Sequence, residues 1–285
     1  AFGSAVFYTA FDVGVRSFLQ VSAVWEFMFI RGLLGLILAG AAVSTFRPAG
    51  GLAAGWSGRL KWLVLGGLCA FASSVCNLTA LIVIPLYQAL VLLYLHPVFS
   101  LVLAWPVNGE PPTRENLVLV ALAAVGCLIL VWPDEAAGLV FSSGHVLALT
   151  GALLYSLGQV FFRALGRGNT GLEPTLAYSV FAVLLAWPLA LVFGGGFHLD
   201  RFDRVDRELV AALALLGLAA QGTAYAALRW LPAFKVGLIG LLEVAAGAAI
   251  SWLVFQDPLN LRSLSGGALI GLVIFRLKKA PAKAP

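Results

Sequence analysis

Apolar residues run along this chain in long blocks, separated by short stretches rich in charge, proline and glycine. The blocks lie near residues 1–18, 23–43, 60–82, 86–105, 116–132, 146–165, 174–193, 209–228, 233–254 and 261–277. The breaks include RPAGG at 47–51, Pro85, NGEPPTRE at 108–115, WPDE at 132–135, GRGNTG at 166–171 and DRFDRVDRE at 200–208. A helix needs ~20 mainly apolar residues to cross a hydrocarbon core of ~30 Å, and only helices or closed barrels satisfy every backbone group in lipid. The blocks lack the alternation of barrel strands. The pattern therefore predicts an all-α membrane protein of about ten transmembrane helices.

Composition agrees. Of 285 residues 61% are hydrophobic and 11% charged, against roughly 25% charged in soluble domains. Cytoplasmic loops retain Lys and Arg. Twelve basic residues fall on the side that carries both termini, five on the other, and Arg31 lies within a span, so both termini are expected in the cytoplasm. The net charge of +5 reads as this topology signal. The basic residues are dispersed over short loops, which argues against a nucleic-acid partner. Cys69, Cys76 and Cys127 lie in apolar runs without metal or redox spacing and read as small packing residues. The first apolar block lacks a basic leader and an A-x-A site, so it is not read as a cleavable signal. It begins at Ala1 without a Met, and a few preceding residues are expected.

Sliding the chain by 147 residues aligns its two halves without a gap. Glu110 falls on Asp257, Pro111 on Pro258, Pro85 on Pro232, Trp105 on Trp252, Tyr8 on Tyr155, Arg16 on Arg163 and Glu26 on Glu173. The expected units are 1–138 and 139–285. With five spans in each, the second half enters the bilayer from the opposite side. Inverted repeats of this kind are typical of secondary transporters, which place the substrate site near the midplane between the halves. Duplication in a non-transporting membrane assembly protein or membrane enzyme is the alternative.

The segments LHPVFSLVLAWPVNGEPPT, its weaker counterpart LLEVAAGAAISWLVFQDPL (Val244 in place of Pro, Asp257 in place of Glu) and WEFMFIRGLLGLILA resemble the drug/metabolite transporter superfamily and its EamA-type domains. The resemblance covers essentially the whole chain. Within that superfamily the sequence looks most like bacterial inner-membrane exporters of aromatic amino acids. The resemblance implies a multi-pass protein of the inner membrane that exports small metabolites.

Ionisable residues inside a span are costly and are functional candidates by default. His96 and Glu243 are repeat partners near the middle of the fourth and ninth spans. They read either as substrate-amine binding and protonation sites or as neutral groups bonded to a neighbouring helix. Gly240, Ala246 and Gly247 share a face with Glu243. Tyr155 with Gln159, and Gln221 with Tyr225, are pairs four apart that suit a ligand with an aromatic body and polar ends; helix–helix hydrogen bonding is the alternative. Tyr8, Asp12 and Arg16 form the matching stripe of the first span. There Asp12 and Arg16 have ion-pair spacing, and Arg31 is expected either to pair structurally with Asp12 or to line an entry. Tyr94 and His96 stand ~200° apart on a continuous helix, with His96 taken as the inward one and Tyr94 kept as a candidate. Asn77 reads as a packing or cavity amide. Gly267 and Gly271 form a GxxxG that marks a packing or dimer face, so a monomer or homodimer is expected.

The chain holds no phosphate-binding G-x-x-x-x-G-K-[ST], H-E-x-x-H or G-x-S-x-G motif, so neither an enzyme nor a cofactor or metal is expected. One intraspan cation suits a neutral or zwitterionic substrate better than a phosphorylated one. The reading is a secondary transporter exporting amino acids, aromatic ones included. The substrate is expected to be read where the halves differ: His96 against Glu243, Asp12 against Gln159, Leu78 against Tyr225.

Overall fold

The computed structural model describes residues 2–19, 23–46, 56–84, 86–131, 142–166, 170–193, 197, 204–243 and 261–279. The described elements are helices: α1 (Phe2–Phe18), α2 (Val24–Phe46), α3 (Trp56–Val83), α4 (Leu86–Leu93), α5 (His96–Asn108), α6 (Arg114–Val131), α7 (Ser143–Arg163), α8 (Leu172–Phe193), α9 (Arg204–Ala227), α10 (Ala233–Gly240) and α11 (Leu261–Lys279). Five of them contain segments long and apolar enough to cross a membrane: Val24–Ala42, Arg59–Val83, Ser143–Arg163, Leu172–Phe193 and Arg207–Ala227. Their outer faces are apolar. Leu184, Val192 and Phe193 on α8 and Ile37 on α2 are more than half exposed, a surface that lipid covers and water does not favour.

The 147-residue shift carries α2 onto α8, α3 onto α9, α4 onto α10 residue for residue, and α6 onto α11. It carries α1 onto most of α7. The packing obeys the same exchange. The contact of α3 with α7 has its mate in α1 with α9, that of α3 with α8 in α2 with α9, and that of α4 with α7 in α1 with α10. The pairs α2–α8 and α6–α11 are their own mates, as contacts on a twofold axis must be.

Small residues let these axial helices approach closely, as membrane helix pairs require. A side chain on Gly32 would meet Ala182 Cβ at 2.7 Å, and one on Gly35 would strike the Ser179 hydroxyl. The α6–α11 contact runs over Gly126, where an added Cβ would meet Ile270 and Leu269 at 3.2 Å. Gly271 of the GxxxG pair is exposed, with nothing within 4 Å of an added Cβ. Cys127 lies buried in the apolar cluster with Leu119, Phe234 and Ile270.

The fourth span departs from expectation. It is broken into α4 and α5, with Tyr94 and Leu95 in a turn. Pro97, in the first turn of α5, has no N–H to give to the preceding ladder and its ring opposes continuation. The Leu95 N–H closes back on Leu92 O at 3.2 Å, a tightened end, and α5 then starts afresh from Leu95. In the second half α10 ends at Gly240 with Leu241 as its cap, in register with the end of α4. Ala246, Gly247 and Asp257 lie outside the described residues, as does the side chain of Arg16.

Candidate functional site

A cavity lies among α1, α2, α3, α4, α5, α7, α9 and α10, at the junction of the halves. Each helix turns one face to it at helical spacing: Ser4, Tyr8, Phe11 and Asp12 from α1; Ser73, Ser74, Asn77, Leu78 and Leu81 from α3; Ala152, Tyr155 and Gln159 from α7; Val236, Gly237 and Gly240 from α10, with Glu243 one turn on. Arg31 comes from α2 and Gln221 from α9. Tyr94 and His96 both reach the cavity, because the break between α4 and α5 removes the ~200° separation that a continuous helix would impose.

Eight of the nine candidate residues line this cavity: Tyr8, Asn77, Tyr94, His96, Tyr155, Gln159, Gln221 and Glu243. Tyr225 stands behind it. Its ring packs edge-on to Phe162 at 4.7 Å, and its oxygen accepts a 2.6 Å hydrogen bond from the Gln221 amide. The spacing of Gln221 and Tyr225 was that of a helix-face pair, and the two bond to each other rather than presenting both groups to a ligand.

Repeat partners meet across the junction. The Tyr8 and Tyr155 side chains face each other across it, with Gln159 beside Tyr155. Thr9 Oγ1 donates to Ala5 O at 2.9 Å and to Glu243 O at 3.3 Å. Its partner Ser156 donates to Ala152 O at 2.8 Å and to His96 O at 2.8 Å. The start of α5 and the chain just after α10 are therefore tied to α7 and α1 by one duplicated device.

Their side chains differ. His96 sets its ring edge-on to Tyr155 at 4.9 Å. Gly237 makes room for it, since an added Cβ would lie 2.6 Å from His96 Cε1. Glu243 lies beside Asp12, so an acid faces an acid there. The Tyr94 hydroxyl faces Glu243 without a well-aligned hydrogen bond.

Arg31 does not form the expected ion pair with Asp12. Its Nη2 donates to Gln221 Oε1 at 2.8 Å and Gly217 O at 3.1 Å. Its guanidinium lies 5.1 Å from the Phe11 ring centre and 5.0 Å from that of Tyr178. Asn77 donates to Ser73 Oγ at 3.2 Å, and Ser73 in turn donates to Gly151 O at 2.9 Å. Asp12 and Arg31 both line the cavity. The sign of this for Asp12 was in the sequence: it shares the helix face of Ser4 and Tyr8.

A helical bundle of two matching halves around an amphipathic cavity defines a membrane protein that handles a small molecule. The chain belongs to the EamA-like transporter family, which matches residues 1–132 and 142–277, one match per half. Members of that family are membrane transporters of small molecules rather than enzymes in general. One solved crystal structure superposes with a TM-score of 0.70 over 98% of this chain and 97% of that one, at 18% identity, a likeness of fold alone. No curated protein matches the chain.

Proposed function

We propose that the chain exports amino acids, aromatic ones included, and related small metabolites across the bacterial inner membrane. In this reading two inverted halves of five spans each, 1–138 and 139–285, rock about the cavity with both termini in the cytoplasm. The observation that carries the reading is the chemistry of the cavity. Its lining, largely apolar with a few convergent polar groups, is that of a small-molecule site. Aromatic faces from Tyr8, Phe11, Tyr94 and Tyr155 suit an aromatic body, and acids at Asp12 and Glu243 suit an amine. The resemblance to bacterial exporters of aromatic amino acids favours the same substrates.

Purified protein in liposomes loaded with labelled phenylalanine or tryptophan tests this. Saturable efflux is expected above protein-free vesicles. If neither amino acid moves in either direction, the amino-acid reading fails. An imposed pH gradient that drives uphill flux marks proton coupling, whereas flux that follows only the substrate gradient marks facilitated diffusion.

A further inference from the structure

The repeat gives Arg31 an internal control. Its partner at the same position of the second half is Tyr178, and Gln221 is the partner of Ser74. The Tyr178 hydroxyl faces Ser74 and donates to Met28 Sδ at 3.7 Å, where Arg31 donates to Gln221 at 2.8 Å. The Tyr178–Ser74 and Arg31–Gln221 contacts each tie the second helix of one half to the third helix of the other half: α8 to α3, α2 to α9. The neutral pair does this without a charge. Tethering therefore does not account for a guanidinium, which a membrane interior disfavours strongly.

The surroundings of Arg31 point the same way. It is 3% exposed and yet lines the cavity. Aromatic rings hold its plane, and two acceptors on α9 hold Nη2. Nε, buried, has no hydrogen-bond partner. No carboxylate among the described residues forms an ion pair with it. Asp12, an acid facing the same space, lies beside Glu243. A guanidinium carries five donors in a fixed fork and matches a carboxylate, so a pre-oriented cation with donors to spare is a receptor for one.

We propose that Arg31 binds the carboxylate of the transported molecule, which makes the site selective for ligands that carry that group. This rests on the reading of the cavity as the substrate site. It adds that recognition is bipolar, with the acids at Asp12 and Glu243 left for a positive end.

Benzoate against benzamide is a suitable probe, because the two differ in the anionic group and neither carries an amine. Binding to the purified full chain is measured by calorimetry for wild type, Arg31→Gln and Arg31→Lys. Wild type is expected to favour benzoate by about tenfold or more, as for one charged hydrogen-bonded contact. Arg31→Gln should lose that preference while still binding benzamide, and Arg31→Lys should keep part of it. Equal affinities in wild type, or an undiminished preference in Arg31→Gln, overturn the inference. Should Arg31→Gln fail to elute as a monodisperse peak, Arg31→Lys takes its place, with a preference reduced about threefold expected and an undiminished one overturning the proposal. Should both fail, the wild-type preference alone decides. The two readings separate cleanly. An Arg31-dependent benzoate preference without amino-acid flux keeps this inference and removes amino-acid export. Flux with unchanged selectivity in Arg31→Gln does the reverse.

Discussion

Between α4 and α5 the chain turns at Tyr94 and Leu95 and resumes with His96; 147 residues later α10 ends, Leu241 caps it, and Glu243 occupies the equivalent place. The backbone is treated alike at both sites, since Ser156 holds the carbonyl of His96 and Thr9 that of Glu243. The side chains are not. His96 is wedged between Tyr155 and Gly237, while Glu243 meets a second acid. Duplication has preserved the device that positions each group, and the chemistry of the groups has diverged. Position and recognition are separable in this cavity.

The sharpest way to break the comparison is to fill the space on one side only. Gly237→Leu drives a side chain into His96 and Pro97 and is expected to destabilise the protein by about 1–3 kcal/mol. Gly240→Ala, which meets nothing within 4 Å, should stay within about 0.5 kcal/mol of wild type. Thermal unfolding of the purified proteins checks both.

Recognition is tested by matched changes at the partners. Glu243→Gln is expected to lower phenylalanine efflux from liposomes about tenfold, because it removes a charge-bearing partner of Asp12. His96→Gln, which replaces a neutral edge-on ring contact, should lower it only about threefold. Equal losses would show that the asymmetry is not used.

The positioning device predicts a smaller pair of effects. Ser156→Ala should cost about 1 kcal/mol of stability, and Thr9→Val about half of that, because the contact to Glu243 O is longer at 3.3 Å. Smallest and most specific is the coupling of Tyr8→Phe with Tyr155→Phe. A double-mutant cycle on unfolding should return about 0.5–1 kcal/mol, and additivity would remove the contact across the junction.

Much of the architecture was legible in the sequence. The apolar blocks marked the helices, and the 147-residue shift anticipated which contacts have mates, since a repeat that must bury its faces against its copy leaves its register in both. The break in the fourth span was hidden by the continuous apolar run from 86 to 105. Pro97 was its only local sign, because a proline in a helical pattern ends the helix just before it. The candidate residues that line the cavity, such as His96, Glu243 and Asn77, are polar groups isolated in apolar spans. Local spacing set Asp12 with Arg16, whose side chain lies outside the described residues, and could not show that Asp12 also lies beside Glu243, 231 residues away. Of the two readings of Arg31, pairing with Asp12 gives way to contacts with Gln221 and Tyr178. Tyr225 was grouped with Gln221 and turned out to be its support. Contacts between halves are set by how the bundle closes, which local spacing does not encode.

The contact of Tyr8 with Tyr155 joins two repeat partners, and this gives it a special standing under the proposed exchange of conformations between the halves. Most contacts would then be handed to a different pair of residues at each turnover. This one would map onto itself. A contact with that property would lower the energy of both end states equally, and so would strengthen the assembly without favouring either orientation of the cavity.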